Sequence, residues 1–231
     1  MINKKAAFKA ALPHTLPVFA GFIVLGSAYG ILMDSKDFPI IWTILTSIFV
    51  YAGSMQFVTV ALLAAGFDPV GAFIMTLVVN ARHLFYGISL LGKYKGMGRL
   101  KPYLIFTLTD ETFSLICSAK PPEGVDQKWF MIFISALNQV YWVTGSILGG
   151  ILGSLFEFNT KGIDFVLTAL FVVIFIDQWK SATNHLPAII GIAGAVLCRI
   201  IFGASDFIIP SMILILLVLT LLKRPMERRN S

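Results

Sequence analysis

The sequence predicts an all-α polytopic integral membrane protein of about seven to eight transmembrane helices, with a third segment that is broken or re-entrant. Three observations carry this reading. Of the 231 residues, 57% are hydrophobic and only 13% charged, and the mean hydropathy is +0.85, far from ordinary soluble domains. Apolar runs close to the roughly 20 residues that one bilayer crossing needs recur along the whole chain. The breaks between them, such as "MDSKDFP", "GKYKGMGRLKP" and "AKPPEGVDQK", are short and rich in Gly, Pro, Asp and Lys. That leaves no room for a sizeable soluble domain, so residues 1–231 read as a single transmembrane domain.

Taken in order, the candidate spans cover residues 15–33, 40–64, 69–91, 103–119, 129–155, 162–178, 186–202 and 206–222. The stretch before the first, residues 1–14, is a basic cytoplasmic N-terminus. The opening imitates a signal peptide, but in a chain that stays hydrophobic to its end an uncleaved first span is expected. Residues 223–231 form a basic C-terminal tail. The net charge of +6 sits mainly in such loops and tails, which points to membrane topology rather than nucleic-acid binding. Cys117 and Cys198 are far apart in apolar runs, so neither a disulfide framework nor a metal site is expected, and no cofactor is implied.

Lys4, Lys5 and Lys9 place the N-terminus in the cytoplasm, and Lys223, Arg224, Arg228 and Arg229 do the same for the C-terminus. Lys93, Lys95, Arg99 and Lys101 form an equally basic loop. After three plain crossings that loop falls outside. One repair is an early segment that re-enters or breaks midway, and "NARH", residues 80–83, is the obvious place. Asn80 and His83 share a helical face with Thr76 and Gly87, whereas Arg82 lies about 160° away from Asn80 on a straight helix.

Polar residues inside spans are costly and face an interior or a watery cavity. In the fourth span Thr107, Asp110, Glu111, Ser114 and Ser118 line one face. Two adjacent carboxylates are expensive to keep ionised together, which makes Asp110 and Glu111 candidate proton-coupling residues. The fifth span offers Ser135, Asn138, Gln139 and Trp142, and Gly145, Gly149 and Gly153 form a ladder suited to close helix packing. Gln56 adds an amide in "YAGSMQF".

Walker A, HExxH and GxSxG motifs are absent. A zwitterionic substrate needs a cation or a broken-helix N-terminus for its carboxylate, which Arg82 or the chain near it supplies. Its ammonium needs acids or amides, supplied by Asp110 or Glu111 with Asn138 and Gln139. Apolar neighbours such as Phe106, Phe113 and Trp142 accept an aliphatic side chain. The substrate-binding set is therefore Gln56, Asn80, Arg82, His83, Asn138, Gln139 and Trp142. A structural Arg82 salt bridge to Asp110 and Glu111 is the bland reading of the charges.

The strings "YAGSMQF", "NARHLFYGISL", "LTDETFSL", "NQVYWVTGSILGGILG" and "FVLTALFVVIFIDQW" resemble, in order, the branched-chain amino-acid exporters of the azaleucine-resistance (AzlC) type, large permease subunit. Ala81 stands where members often carry leucine, and Ser54 where a small alanine is usual. The resemblance implies a multi-pass protein of the bacterial inner membrane that exports leucine, isoleucine or valine, coupled to protons, with a small hydrophobic AzlD-type membrane subunit. Two alternatives are an intramembrane serine hydrolase using Ser54 with His83, and a non-transporting membrane scaffold for the small partner.

Overall fold

The computed structural model describes residues 4–66, 68–156, 172, 175, 176, 179, 180, 182 and 184–229. The described residues are helical with short connections: α1 (Lys4–Asp34), α2 (Ile40–Phe49), α3 (Gly53–Ala65), α4 (Pro69–Leu90), α5 (Lys101–Phe106), α6 (Asp110–Ser118), α7 (Gln127–Leu155), α8 (Leu186–Asp206) and α9 (Ile208–Arg229). The chain divides into two compact units, residues 1–167 and 168–231. The expected span at 162–178 lies almost wholly outside the described residues. Among them, α1, α7 and the Leu186–Gly203 part of α8 are long and apolar enough to cross a membrane, and a fourth, α4, qualifies as a bent pair.

The first unit is built on α1 and α7, which run parallel. At one end Lys4 sits 4.0 Å over the Trp129 ring and Phe8 meets Phe133. At the other, Asp34 packs on Gly153. Between them the backbones touch, because a Cβ at Gly30 would collide with the backbone of Ser146 and Gly150, and one at Gly149 with that of Ser27. The glycine ladder is thus a packing seam. Two parallel helices this far apart in sequence require the intervening chain to return an odd number of times.

The segment expected to make the second crossing, 40–64, does not cross. α2 runs antiparallel to α7, from Ile40 packed on Gly150 down to Ile48, whose carbonyl accepts from Gln139 Nε2 at 3.3 Å. The chain then reverses. Gly53 lies under the Trp142 ring, Phe57 packs edge-on against Tyr29, and Val60 joins Leu32 and Met33 near the end where α2 began. Ser47 and Gln56, placed symmetrically about the turn, are hydrogen-bonded at 3.2 Å. At about 1.5 Å per residue α2 is some 15 Å long, half a bilayer. Hence α2 and α3 form a re-entrant hairpin whose tip, residues 50–52, includes Tyr51 at φ 44°.

α4 then returns the chain. Asp68 caps it by accepting from Gly71 N–H, with Pro69 in its first turn. It is helical through Asn80–His83, and the distortion expected there is a 41° bend between Pro69–Leu77 and Val79–Leu90. Two early segments are therefore irregular: 40–65 reverses between α2 and α3, and the third segment is bent just before Asn80.

The expected fourth span, 103–119, is also a hairpin. α6 runs alongside α4 towards the C-terminal end of α4: Asp110 meets Arg82, Phe113 stacks on Tyr86, and Lys93 Nζ donates to the carbonyls of Ile116 and Cys117. α5 starts at that same end, where Tyr94, Met97, Leu104, Ile116, Phe130 and Ile134 share one core. It rises to Phe106, which packs against Tyr51. The break at Thr107–Thr109 separates Thr107 from the helix carrying Asp110 and Glu111, so the expected continuous polar stripe is not formed. The two hairpins enter from opposite ends and their tips meet. The basic loop 93–101 consequently lies at the end where Lys4, Lys5 and Lys9 begin the chain, which resolves the conflict in the loop charges.

In the second unit α8 packs on α9 through Gly194 and Ile215, and His185 stacks on Trp179 with ring centroids 4.3 Å apart. Gly203 takes φ 81° near the end of α8.

Candidate functional site

Two side chains from the crossing helices each tie both hairpins together. From α4, Arg82 Nη2 lies 3.0 Å from Asp110 on the second hairpin and donates to Ser54 Oγ on the first at 3.0 Å. From α7, Gln139 accepts from Tyr103 of α5 at 2.9 Å and donates to the Ile48 carbonyl of α2. Arg82, Asp110 and Gln139 are polar residues that the sequence singles out in three different apolar runs, and the double break in the chain brings them together.

Asp110 is further held by Tyr86, whose hydroxyl donates at 2.7 Å while its ring stacks on Phe113 at 4.2 Å. Glu111, its neighbour in the first turn of α6, forms no ion pair among the described residues. Thr109 caps this helix, accepting from Thr112 N–H. Asn138 is fully buried and donates from Nδ2 to Thr112 Oγ1 at 3.0 Å, while its Oδ1 has no hydrogen-bond partner among the described residues. The hydroxyls of Ser135, one turn away on α7, and Tyr51 at the first tip are likewise buried without one.

The remaining expected site residues lie apart from this cluster. Trp142 donates from its indole N–H to Gln56 Oε1 at 2.9 Å, and Gln56 donates to Ser47, so both hold the first hairpin against α7. The His83 ring packs edge-on against Tyr86, with Nδ1 3.2 Å from the Asn80 carbonyl, and Asn80 enters only through that backbone group. Ser54 bonds Arg82 rather than His83, so no nucleophile and base are paired. Sequence reasoning missed Tyr51, Tyr86, Tyr103 and Thr112. In an apolar run tyrosine reads as filler, although a tyrosine at membrane depth needs a partner for its hydroxyl, and that need was the available signal.

Ion-paired and amide-rich groups gathered where two hairpins meet inside an apolar helical bundle fit a polytopic membrane transport protein. Comparison with known proteins agrees. The model of the AzlC protein family matches residues 17–156. The chain is 52% identical to the branched-chain amino acid transport protein AzlC of Bacillus subtilis, over 96% of this chain and 88% of that one. It is 41% identical to an uncharacterized membrane protein of Helicobacter pylori strain J99, over 96% and 97%. To the inner membrane protein YgaZ of Escherichia coli it is 29% identical over 84% of each. No solved structure matches. The chain belongs to the AzlC family.

Proposed function

We propose that this protein exports leucine, isoleucine and valine across the bacterial inner membrane in exchange for protons, together with a small hydrophobic AzlD-type subunit. The observation that carries this reading is the charged cluster at the meeting of the hairpin tips, where Arg82 is paired with Asp110 and Glu111 has no ion partner among the described residues. Basic residues gathered at the end that holds the N-terminus put that end in the cytoplasm, so the second hairpin enters from the cytoplasm and the first from outside.

The chemistry follows from competition. An ionised Glu111 or Asp110, with Asn138 Oδ1 and the amide of Gln139, attracts the substrate ammonium. A proton on the same carboxyl removes that attraction. Substrate and proton then exclude one another, which is the condition for exchange rather than co-transport. Because the substrate is net neutral, each exchange carries one charge inwards, worth about 2.3 kcal/mol at 100 mV, enough for a gradient of roughly 40-fold. Phe106 and Phe113 at the second tip supply apolar contact for the branched side chain.

The test is flux in proteoliposomes that contain this chain and the small subunit. Leucine and valine flux accelerated by an imposed pH gradient supports the proposal, and flux indifferent to the gradient contradicts it.

A further inference from the structure

α3 begins in the middle of the first unit with its positive end uncompensated. Helical geometry leaves the amides of Gly53, Ser54 and Met55 without intrahelical acceptors, the first such bond being Gln56 N–H to the Ala52 carbonyl. No side chain caps them, and the first turn holds no acid. The contrast with α6 is instructive, since that helix has Thr109 as its cap and Asp110 and Glu111 in its first turn. Ser54 and Met55 are nevertheless buried. A buried helix start with a fixed partial positive charge and unused N–H donors is a carboxylate site in waiting.

Two further observations point to a ligand at that place. Arg82 brings a full positive charge to it, 3.0 Å from Ser54 Oγ. Tyr51, immediately before the cap position, is only 3% exposed, and its hydroxyl has no hydrogen-bond partner among the described residues. Its ring lies against Phe106, so the side chain reaches from the start of α3 to the second tip. A bulky residue at φ 44° is held there against its backbone preference.

We propose that the start of α3 is the carboxylate subsite of the transported amino acid: the amides of Gly53, Ser54 and Met55 and the Arg82 guanidinium bind the carboxylate, and the Tyr51 hydroxyl completes the set. This rests on the export reading above and deepens it, because it fixes the direction of the substrate. The carboxylate faces the first hairpin, and the ammonium faces Asn138 and Glu111 at the second.

The test compares leucine with 3-methylbutan-1-amine, which lacks the carboxylate, and with 4-methylpentanoate, which lacks the ammonium. Calorimetry is run on the chain with its small subunit in nanodiscs. The wild type is expected to bind the amine at least about 100-fold more weakly than leucine, from the loss of several charge-assisted hydrogen bonds, and to retain measurable binding of 4-methylpentanoate. Ala52→Asp places a carboxylate at the cap position, where it accepts from the same amides. It is expected to raise the melting temperature while abolishing the binding of leucine and 4-methylpentanoate. Ala52→Gly leaves the amides open and is expected to keep both. Equal binding of leucine and the amine by the wild type, or wild-type leucine affinity in Ala52→Asp, overturns the subsite and leaves the export reading standing. A wild type that binds and transports no branched-chain amino acid removes the export reading, and the subsite with it.

Discussion

The Arg82 guanidinium lies 3.0 Å from the Asp110 carboxylate and reaches Ser54 from the same nitrogen. A single cation on a crossing helix therefore joins the tips of two hairpins that enter from opposite ends. Moving either hairpin breaks this clasp or the one that Gln139 makes between Tyr103 and Ile48.

The ion pair has a measurable stability. Its side chains are 28% and 16% exposed, so Asp110→Asn is expected to cost about 2 kcal/mol, below the 3–5 of a fully buried pair. Adding Arg82→Gln removes the uncompensated charge and recovers part of that loss without restoring transport. Thermal melting of the three variants in detergent checks this, and strictly additive losses contradict it.

Trp142→Phe leaves the Gln56 carbonyl oxygen buried without its donor, since Gln56 is 1% exposed. The expected cost is about 1–3 kcal/mol, read as a lower melting temperature. Gln56→Met in the same background is expected to regain most of it.

Gly149→Ala and Gly21→Ala separate packing from helix propensity. A Cβ at Gly149 runs into the backbone of Ser27, whereas one at Gly21 meets nothing within 4 Å. The first is expected to cost about 2 kcal/mol or more because α1 must shift. The second is expected to be neutral or slightly stabilising. Equal effects on melting temperature contradict the close α1–α7 seam.

Cysteine labelling tests the hairpins themselves. In a background of Cys117→Ser and Cys198→Ala, single cysteines at Ser35 and Asp68 flank the first hairpin, and those at Lys95 and Glu123 flank the second. An impermeant maleimide is expected to label the first two only from outside and the second two only from the cytoplasmic side. Opposite sidedness within either pair makes that segment a crossing helix.

Much of this was legible in the sequence. The long apolar runs of α1 and α7, the glycine seam, and the polar groups Arg82, Asp110, Asn138 and Gln139 stand out against their surroundings. The hairpins did not, because two half-helices laid back to back have the same length and hydropathy as one crossing helix. The reversal depends on Tyr51 taking a backbone conformation that its residue type disfavours, which only surrounding contacts impose. The basic loop at Lys93–Lys101 is the legible trace of an irregular early segment; the bend in α4 beside "NARH" is one irregularity, and the reversal around Tyr51 is a second that the sequence does not mark. A buried amide and an indole N–H carry the same sequence signal whether they bind each other or a ligand, and the Trp142–Gln56 hydrogen bond is read only from the structure.

The acids at the second tip, Asp110 and Glu111, are proposed to couple protons to substrate. Reconstituted with the small subunit, Glu111→Gln and Asp110→Asn are assayed for leucine efflux with and without an inward proton gradient, alongside leucine exchange at equal pH on both sides. At least one variant is expected to lose the acceleration by the gradient while remaining folded and still exchanging leucine. Undiminished acceleration in both variants would contradict the assignment.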